Sequence, residues 1–356
     1  ALEEPVPVPL TDSLCQDQVE QPGTGGGQVQ APFEAWHRAE GSVEQAPRPL
    51  DVATQLRRGR RVVAGRRRTV VRVRRGRHAA LFLFGLAQQR LEGLLADSPN
   101  NADVRHELAN VYRWRGWLER SLFEYDQVLT MDDSLVYARV GRANALLDAQ
   151  FYDDVENTLV SLEALGNPDP IVDQLSERWS VHNRSQLIVS AQTGESSGAT
   201  FGTSQHTVDA WWFTRPISRN YRAFVHLHDA FSEFPEGDAK RRRTGIGTEY
   251  RDGPWSARGE LLFDSEYSNL GIAGSAQWRY SDRWLLSGDL AKNSSDTHLR
   301  GYRVEVESDA FGLAATLSMN ESVNYGFGVS QSNFTDGNRN NALFGNLYRR
   351  VLTRPR

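Results

Sequence analysis

From Ser185 to Tyr348 the chain alternates apolar and polar positions almost one by one. Trp255, Ala257, Gly259, Leu261 and Phe263 interleave with Ser256, Arg258, Glu260, Leu262 and Asp264. Leu270, Ile272, Gly274, Ala276, Trp278 and Tyr280 interleave with Gly271, Ala273, Ser275, Gln277 and Arg279. Val323, Tyr325, Phe327 and Val329 repeat the pattern against Asn324, Gly326, Gly328 and Ser330. A period of two puts each set on its own face of a strand. About ten such segments follow one another, separated by polar turn clusters. Each is close to the ~10 residues that span a membrane as a barrel strand.

Aromatic residues gather where these segments end: Trp211 and Trp212, Tyr221, Tyr250 and Trp255, Tyr280 and Trp284, Tyr325 and Phe327. An interfacial girdle requires aromatics there. The opposite face is small, polar and charged, which a packed soluble core would not tolerate. A soluble antiparallel sheet with one wet face is the competing reading. Strand length and the recurring girdle favour the membrane barrel.

Between about Gly85 and Pro170 the period lengthens to that of helices. Leu108, Ala109, Tyr112, Gly116, Ser121 and Tyr125 fit the small, aromatic and glycine positions of a tetratricopeptide repeat. A shift of 34 residues gives Arg142, Ala143, Leu146, Gln150, Val155 and Leu159, a degenerate second copy. A shift backwards gives Ala87, Leu91 and Leu94, the second helix of an earlier repeat closed by Pro99. Asn167 to Pro170 are expected to end the solenoid, and Ile171 to Val181 to add one helix before the first strand. Short solenoids of this kind bind protein partners far more often than they catalyse. The predicted fold class is therefore α then β: tetratricopeptide-type repeats at 85–180, followed by a partial transmembrane antiparallel β-barrel at 185–348.

Residues 1–82 do not read as a domain. Residues 1–50 are rich in Pro, Gly, Gln and Glu, and eleven arginines fall between Arg57 and Arg77. An arginine-rich arm for nucleic acid or anionic lipid and a disordered tail are two readings. A third, preferred here, is an out-of-frame segment. The repeat register predicts a first helix over about Arg68 to Phe82, and the arginine-rich composition there is unsuited to it. Another frame is expected to restore Leu, Ala, Tyr and Gly at repeat spacing. Residues 349–356 are treated in the same way.

The chain has 356 residues, a net charge of -4 and a single cysteine, Cys15, so it holds no intramolecular disulfide and no cysteine metal cluster. The balance of charge gives no reason to expect nucleic-acid binding. The longest apolar run, Ala79 to Ala87, is far short of the ~20 residues of a membrane helix. There is no initiating Met and no signal peptide, read as a missing N-terminus.

No nucleophile elbow, zinc-protease helix, phosphate loop or dinucleotide fingerprint occurs, so neither an enzyme nor a cofactor is predicted. His226 and His228 share a strand face, but no third ligand is evident from the sequence, so no metal is assigned and both are read as polar lumen residues. Asp289 and Glu260 are a conceivable glycosidase pair, for which lumen charge is the commoner explanation.

The junction and first strands resemble a known family. The residues are Val181-His182-Asn183, Ser185 to Val189, Val208-Asp209, Thr214 to Ile217, Tyr221 to Phe224, Phe231-Ser232-Glu233 with Gly237, Gly247 to Arg251, and Glu260. Their order and spacing resemble the outer-membrane exporters of bacterial exopolysaccharides, most closely the poly-β-1,6-N-acetyl-D-glucosamine export porins of the PgaA type. That resemblance implies an outer-membrane barrel of sixteen strands and a periplasmic repeat domain that docks a polysaccharide deacetylase. It also implies export of partly deacetylated polymer for biofilm. This chain has fewer repeats and strands than that pattern and ends in Leu352-Thr353-Arg354-Pro355-Arg356, without the usual terminal aromatic. It is accordingly expected to be a piece of such a protein.

Alternation assigns Asp209, Glu249, Arg258, Glu260, Asp264, Arg279 and Asp289 to the lumen, five acids against two bases. Carboxylate rings favour a cationic solute, and a partly deacetylated glucosamine polymer is cationic. Two alternatives stand beside this reading: a porin for cellulose, whose neutral chain gains nothing from lumen charge, and a soluble tetratricopeptide scaffold with a β-rich domain.

Overall fold

The computed structural model describes residues 77–166, 169–195, 204–295, 297–320 and 322–349. Six helices come first: α1 (Arg77–Asp97), α2 (Ala102–Trp114), α3 (Leu118–Met131), α4 (Val136–Asp148), α5 (Tyr152–Glu163) and α6 (Pro170–His182). Ten strands follow: β1 (Gln186–Glu195), β2 (Ser204–Phe213), β3 (Tyr221–Ser232), β4 (Ala239–Asp252), β5 (Trp255–Asp264), β6 (Leu270–Arg279), β7 (Trp284–Lys292), β8 (Ser308–Asn320), β9 (Val323–Phe334) and β10 (Arg339–Arg349). A one-turn helix, α7 (Leu299–Tyr302), interrupts the loop between β7 and β8.

The helices stack in sequence order, as the repeat spacing predicts. Asn101 caps α2, its side chain accepting from the Val104 N–H at 3.1 Å. One core joins Ala87 and Leu91 of α1 to Leu108, Val111 and Tyr112 of α2 and to Trp117. Another joins Val140, Ala143 and Leu146 of α4 to Val155, Leu159 and Leu162 of α5 and Leu175 of α6. Leu94 is exposed and takes no part in these cores.

Two expectations change. The Pro-rich link does not end the solenoid: Asp169 caps α6, accepting from the Ile171 N–H at 3.0 Å, with Pro170 in the first turn. Leu175 is then fully buried against α4 and α5. Helix α1 begins at Arg77, so residues 77–82, set apart by sequence, continue into the helix that carries Ala87. Residues 1–76 lie outside the described residues.

Gly116 turns the chain between α2 and α3 at φ +74°, and Gln150 holds the equivalent turn between α4 and α5 at φ +67°. A side chain in that left-handed region costs roughly 1–2 kcal/mol. The turn so formed aims the Gln150 carbonyl at the strands, where it accepts from the Gly253 N–H at 3.1 Å.

The strands form one antiparallel meander in the order β1 to β10. Ladder registers such as Ser190↔Asp209↔His228↔Arg243↔Asp264 carry alternation from strand to strand, so one parity stays on one face throughout. One face is apolar and exposed: Leu187, Val208, Leu227, Ile246, Leu261, Ile272, Leu290, Leu313, Val329 and Leu343 all lie on it. Its aromatic rim is in ring contact, Tyr221 tilted against Tyr250 at 4.8 Å and Trp255 stacked on Trp278 at 5.2 Å between ring centroids. The charges of the strand middles fall on the other face, and those that share the apolar parity, among them Asp229, Arg242, Lys292 and Asp309, lie toward the strand ends. Water would drive such a sheet the other way round; a hydrocarbon surround accounts for both faces.

The helices sit on the turn side of the strands, and strand-region residues complete them. Helix α3 has no cap of its own; Asp282, in the β6–β7 turn, accepts from the Glu119 N–H at 2.8 Å and the Arg120 N–H at 3.1 Å. At the end of α6, the His182 carbonyl accepts from the Arg222 guanidinium at 2.6 Å. The His182 ring stacks on Tyr152 at 4.2 Å, and burial, with Arg222 and Arg251 nearby, pushes its pKa down to about 4. Arg219 pairs with Asp153 at 2.6 Å and with Glu156.

Replacing Asp282 with Ala is expected to cost about 1 kcal/mol, as for a lost helix cap. Amide exchange at Glu119 and Arg120 should accelerate while exchange in α5 stays unchanged. Unaltered protection at both amides would show that the turn does not hold the helix.

Candidate functional site

The polar face divides into two halves of different chemistry. Between β2 and β5 it is filled. Asp209, Trp211 and Phe213 of β2 share it with Arg222, Phe224, His226 and His228 of β3. Opposite them stand Arg241, Arg243, Gly245, Glu249 and Arg251 of β4, then Arg258, Glu260 and Asp264 of β5. Phe213 and Phe224 are buried, and Trp211 stacks on His226 with ring centroids 3.6 Å apart. The Arg258 guanidinium lies over Trp211 at 4.8 Å.

The charges here are paired. Glu249 takes Arg251 at 3.0 Å and Arg258 at 2.9 Å. Glu260 meets His226 Nδ1 at 2.7 Å, although β4 lies between their strands. The crossing depends on Gly245, where a Cβ would overlap the Glu260 carboxylate. Asp209 Oδ1 lies 3.3 Å from His226 Nε2 and 2.8 Å from His228 Nδ1.

At the end away from the helices, residues 293–295 and 297–307 close over β3 to β5. The Arg243 side chain donates to Asp264 at 2.9 Å, to the Asn293 carbonyl at 2.7 Å and to the Asn293 side chain at 2.8 Å. The Tyr302 hydroxyl donates to Asp264 Oδ1 at 2.6 Å. Arg241 reaches the Thr297 carbonyl at 2.5 Å, also donates to the Ser295 carbonyl, and lies over the Tyr302 ring.

From β6 to β10 the polar face is lined mostly by small side chains. Ala273 and Ser275 pair with Ala291 and Asp289, and Ser287 with Ala314. Gly312 pairs with Asp289 on one side and Ser330 on the other. Asp289 lies against Gly312 and makes no ion pair among the described residues. Phe344 of β10 is on this face and exposed.

All seven residues assigned to the lumen by alternation share this face, but they are not equivalent. Glu249, Glu260 and Asp264 are buried and committed to Arg or His partners. Asp209 serves the histidines, Arg258 serves Glu249, and Arg279 is exposed at the turn-side end of β6. Glu260, engaged by His226, is not free to act with Asp289 as a glycosidase pair. Four arginines of the same face were not in the sequence set: Arg222, Arg241, Arg243 and Arg251. With Arg258 and Arg279 they make six bases against five acids, and the expected acid excess disappears. Trp211, read as part of the girdle, faces the polar side; its parity with Asp209 carries that information.

Among families, the PgaA membrane beta barrel domain matches residues 181–356. That span takes in the terminal residues 349–356. No curated protein matches the chain. Among solved structures, one described as a bacterial polysaccharide outer membrane secretin aligns at 20% identity and a TM-score of 0.43. The alignment covers 49% of this chain, which spans 59% of that one. An antiparallel membrane barrel with an apolar outward band is an outer-membrane structure, and residues 181–356 are placed there.

Gly245→Ala is expected to drive Glu260 off His226 and to cost about 1–3 kcal/mol, as overpacking does. Denaturant unfolding of the refolded protein in detergent reads the change. Wild-type stability would mean that Glu260 reaches His226 by another route.

Proposed function

We propose, on the match of residues 181–356 to the PgaA membrane beta barrel domain, that this chain exports a polysaccharide across the outer membrane. The cargo we infer is partly deacetylated poly-β-1,6-N-acetyl-D-glucosamine, released to support biofilm. The helical repeats face the periplasm in this reading and dock a periplasmic polysaccharide deacetylase.

One observation supports it above the others: the small-residue half of the polar face, β6 to β10, with a single unpaired carboxylate among the described residues. A moving polymer needs contacts weak enough to release it. Glycine, alanine and serine offer a smooth surface with few tight contacts. Exposed Phe344 offers a flat ring to the C–H face of a sugar. Asp289 offers attraction to a glucosammonium group without competition from a neighbouring base. The acids of β4 and β5 are occupied and act on structure, so cargo charge is sensed at Asp289 in place of a diffuse ring. The exposed apolar face argues against a soluble scaffold, and a carboxylate gives no advantage with neutral cellulose.

The test is polymer released by cells whose intact exporter carries Asp289→Asn. One ion pair at 4 Å in water is worth about 1 kcal/mol, so release of the deacetylated form should fall by roughly fivefold, and that of a fully acetylated form should not change. Equal release of both forms at the wild-type rate would remove Asp289 from the mechanism.

A further inference from the structure

The cluster of Asp209, His226 and His228 holds more lone pairs than its protons satisfy. His226 touches a carboxylate with each ring nitrogen, Glu260 at Nδ1 and Asp209 at Nε2. A neutral imidazole carries one proton, so one of those contacts would set a nitrogen lone pair against a carboxylate oxygen. Asp209 Oδ1 is shared by both histidines, and His228 Nε2 is buried with no hydrogen-bond partner among the described residues. One donor atom from each of the three residues lies within 4.8 Å of the others.

The geometry points to a divalent metal site formed by Asp209, His226 and His228, taking a borderline first-row ion of which Zn2+ is the test case. Two imidazoles and a carboxylate are the donor types that such an ion selects. The donors would be Asp209 Oδ1, His226 Nε2 and His228 Nδ1. Tetrahedral bonds of about 2.0–2.1 Å put donor atoms about 3.4 Å apart. The Asp209–His226 contact, at 3.3 Å, already meets that spacing, and the Asp209–His228 contact, at 2.8 Å, needs to open by about half an ångström. The metal would take the His226 Nε2 lone pair, leaving the Nδ1 proton for Glu260. This is the carboxylate–histidine–metal arrangement that fixes ring orientation. Glu260 is thus a positioning residue, brought there across Gly245. Trp211, stacked on the His226 ring, restricts its rotation. His226 and His228 stand two apart on β3 and Asp209 is the ladder partner of His228, so ladder register alone sets the three together. A bound ion would brace β2 against β3 and, through Glu260, β5. The inference is independent of which polymer passes.

The experiment is equilibrium dialysis of the full chain, refolded in detergent micelles, against Zn2+. One ion per chain is expected. His228→Ala and Asp209→Asn should each abolish that stoichiometric binding, and Glu260→Gln should weaken it by about 10–100-fold. Co2+ substitution of the unmutated chain supplies a reading that needs no variant. It should give the intense visible bands of a four-coordinate ion, lost when Zn2+ is added. Zn2+ retained at one per chain in a folded Asp209→Asn/His228→Ala double variant would overturn the site. So would a wild-type chain that binds no Zn2+.

Discussion

Arg243 is 2% exposed, and a guanidinium so placed has no water to solvate it. Its charge is tolerated because Asp264 and the Asn293 carbonyl and side chain accept its hydrogen bonds. Removing one partner from such a buried pair costs more than the pair contributes, because the remaining charge is left uncompensated. The same condition applies from β2 to β5. Glu249 needs Arg251 and Arg258, and Glu260 needs His226. Once the apolar parity faces hydrocarbon, the other parity must carry the charge of the strand middles, and satisfying it draws Asn293, Thr297 and Tyr302 of the outer loop down onto the strands.

This condition makes the two halves of the polar face different in kind. The filled half is a rigid buttress, braced by aromatics, paired charges and the inward loop. The small-residue half, β6 to β10, is open because most of its side chains are small and Asp289 makes no ion pair among the described residues. The turn side is fixed too. Asp282 completes α3 and Arg222 completes α6, so the repeats are held to the strands.

The strands were legible because side-chain alternation is a property of one strand at a time. About ten alternating segments were expected and ten strands form, and parity assigned Asp209, Glu249, Arg258, Glu260, Asp264, Arg279 and Asp289 to one face. Parity also held the unread facts that Trp211 faces with Asp209, and that Arg241, Arg243 and Arg251 face with Glu249. What no local pattern carries is contact between strands that are not neighbours. His226 meets Glu260 because Gly245 leaves space between them, and the only sign was a glycine within a strand. Asp282 caps a helix 163 residues away, a contact that only the docked arrangement creates. Helix α6 was read as an addendum because the Pro-rich link looked terminal; Asp169 and Pro170 in fact form a helix start.

The central claim is that one parity of these strands meets lipid and the other does not. Nitroxide labels placed singly at Ser256, Ala257, Leu261 and Leu262 of β5, in a Cys15→Ser background reconstituted in lipid vesicles, test it most directly. Collision with oxygen, which concentrates in hydrocarbon, should be frequent at Ala257 and Leu261 and infrequent at Ser256 and Leu262. Equal collision rates at neighbouring positions, or the opposite phase, would contradict the account.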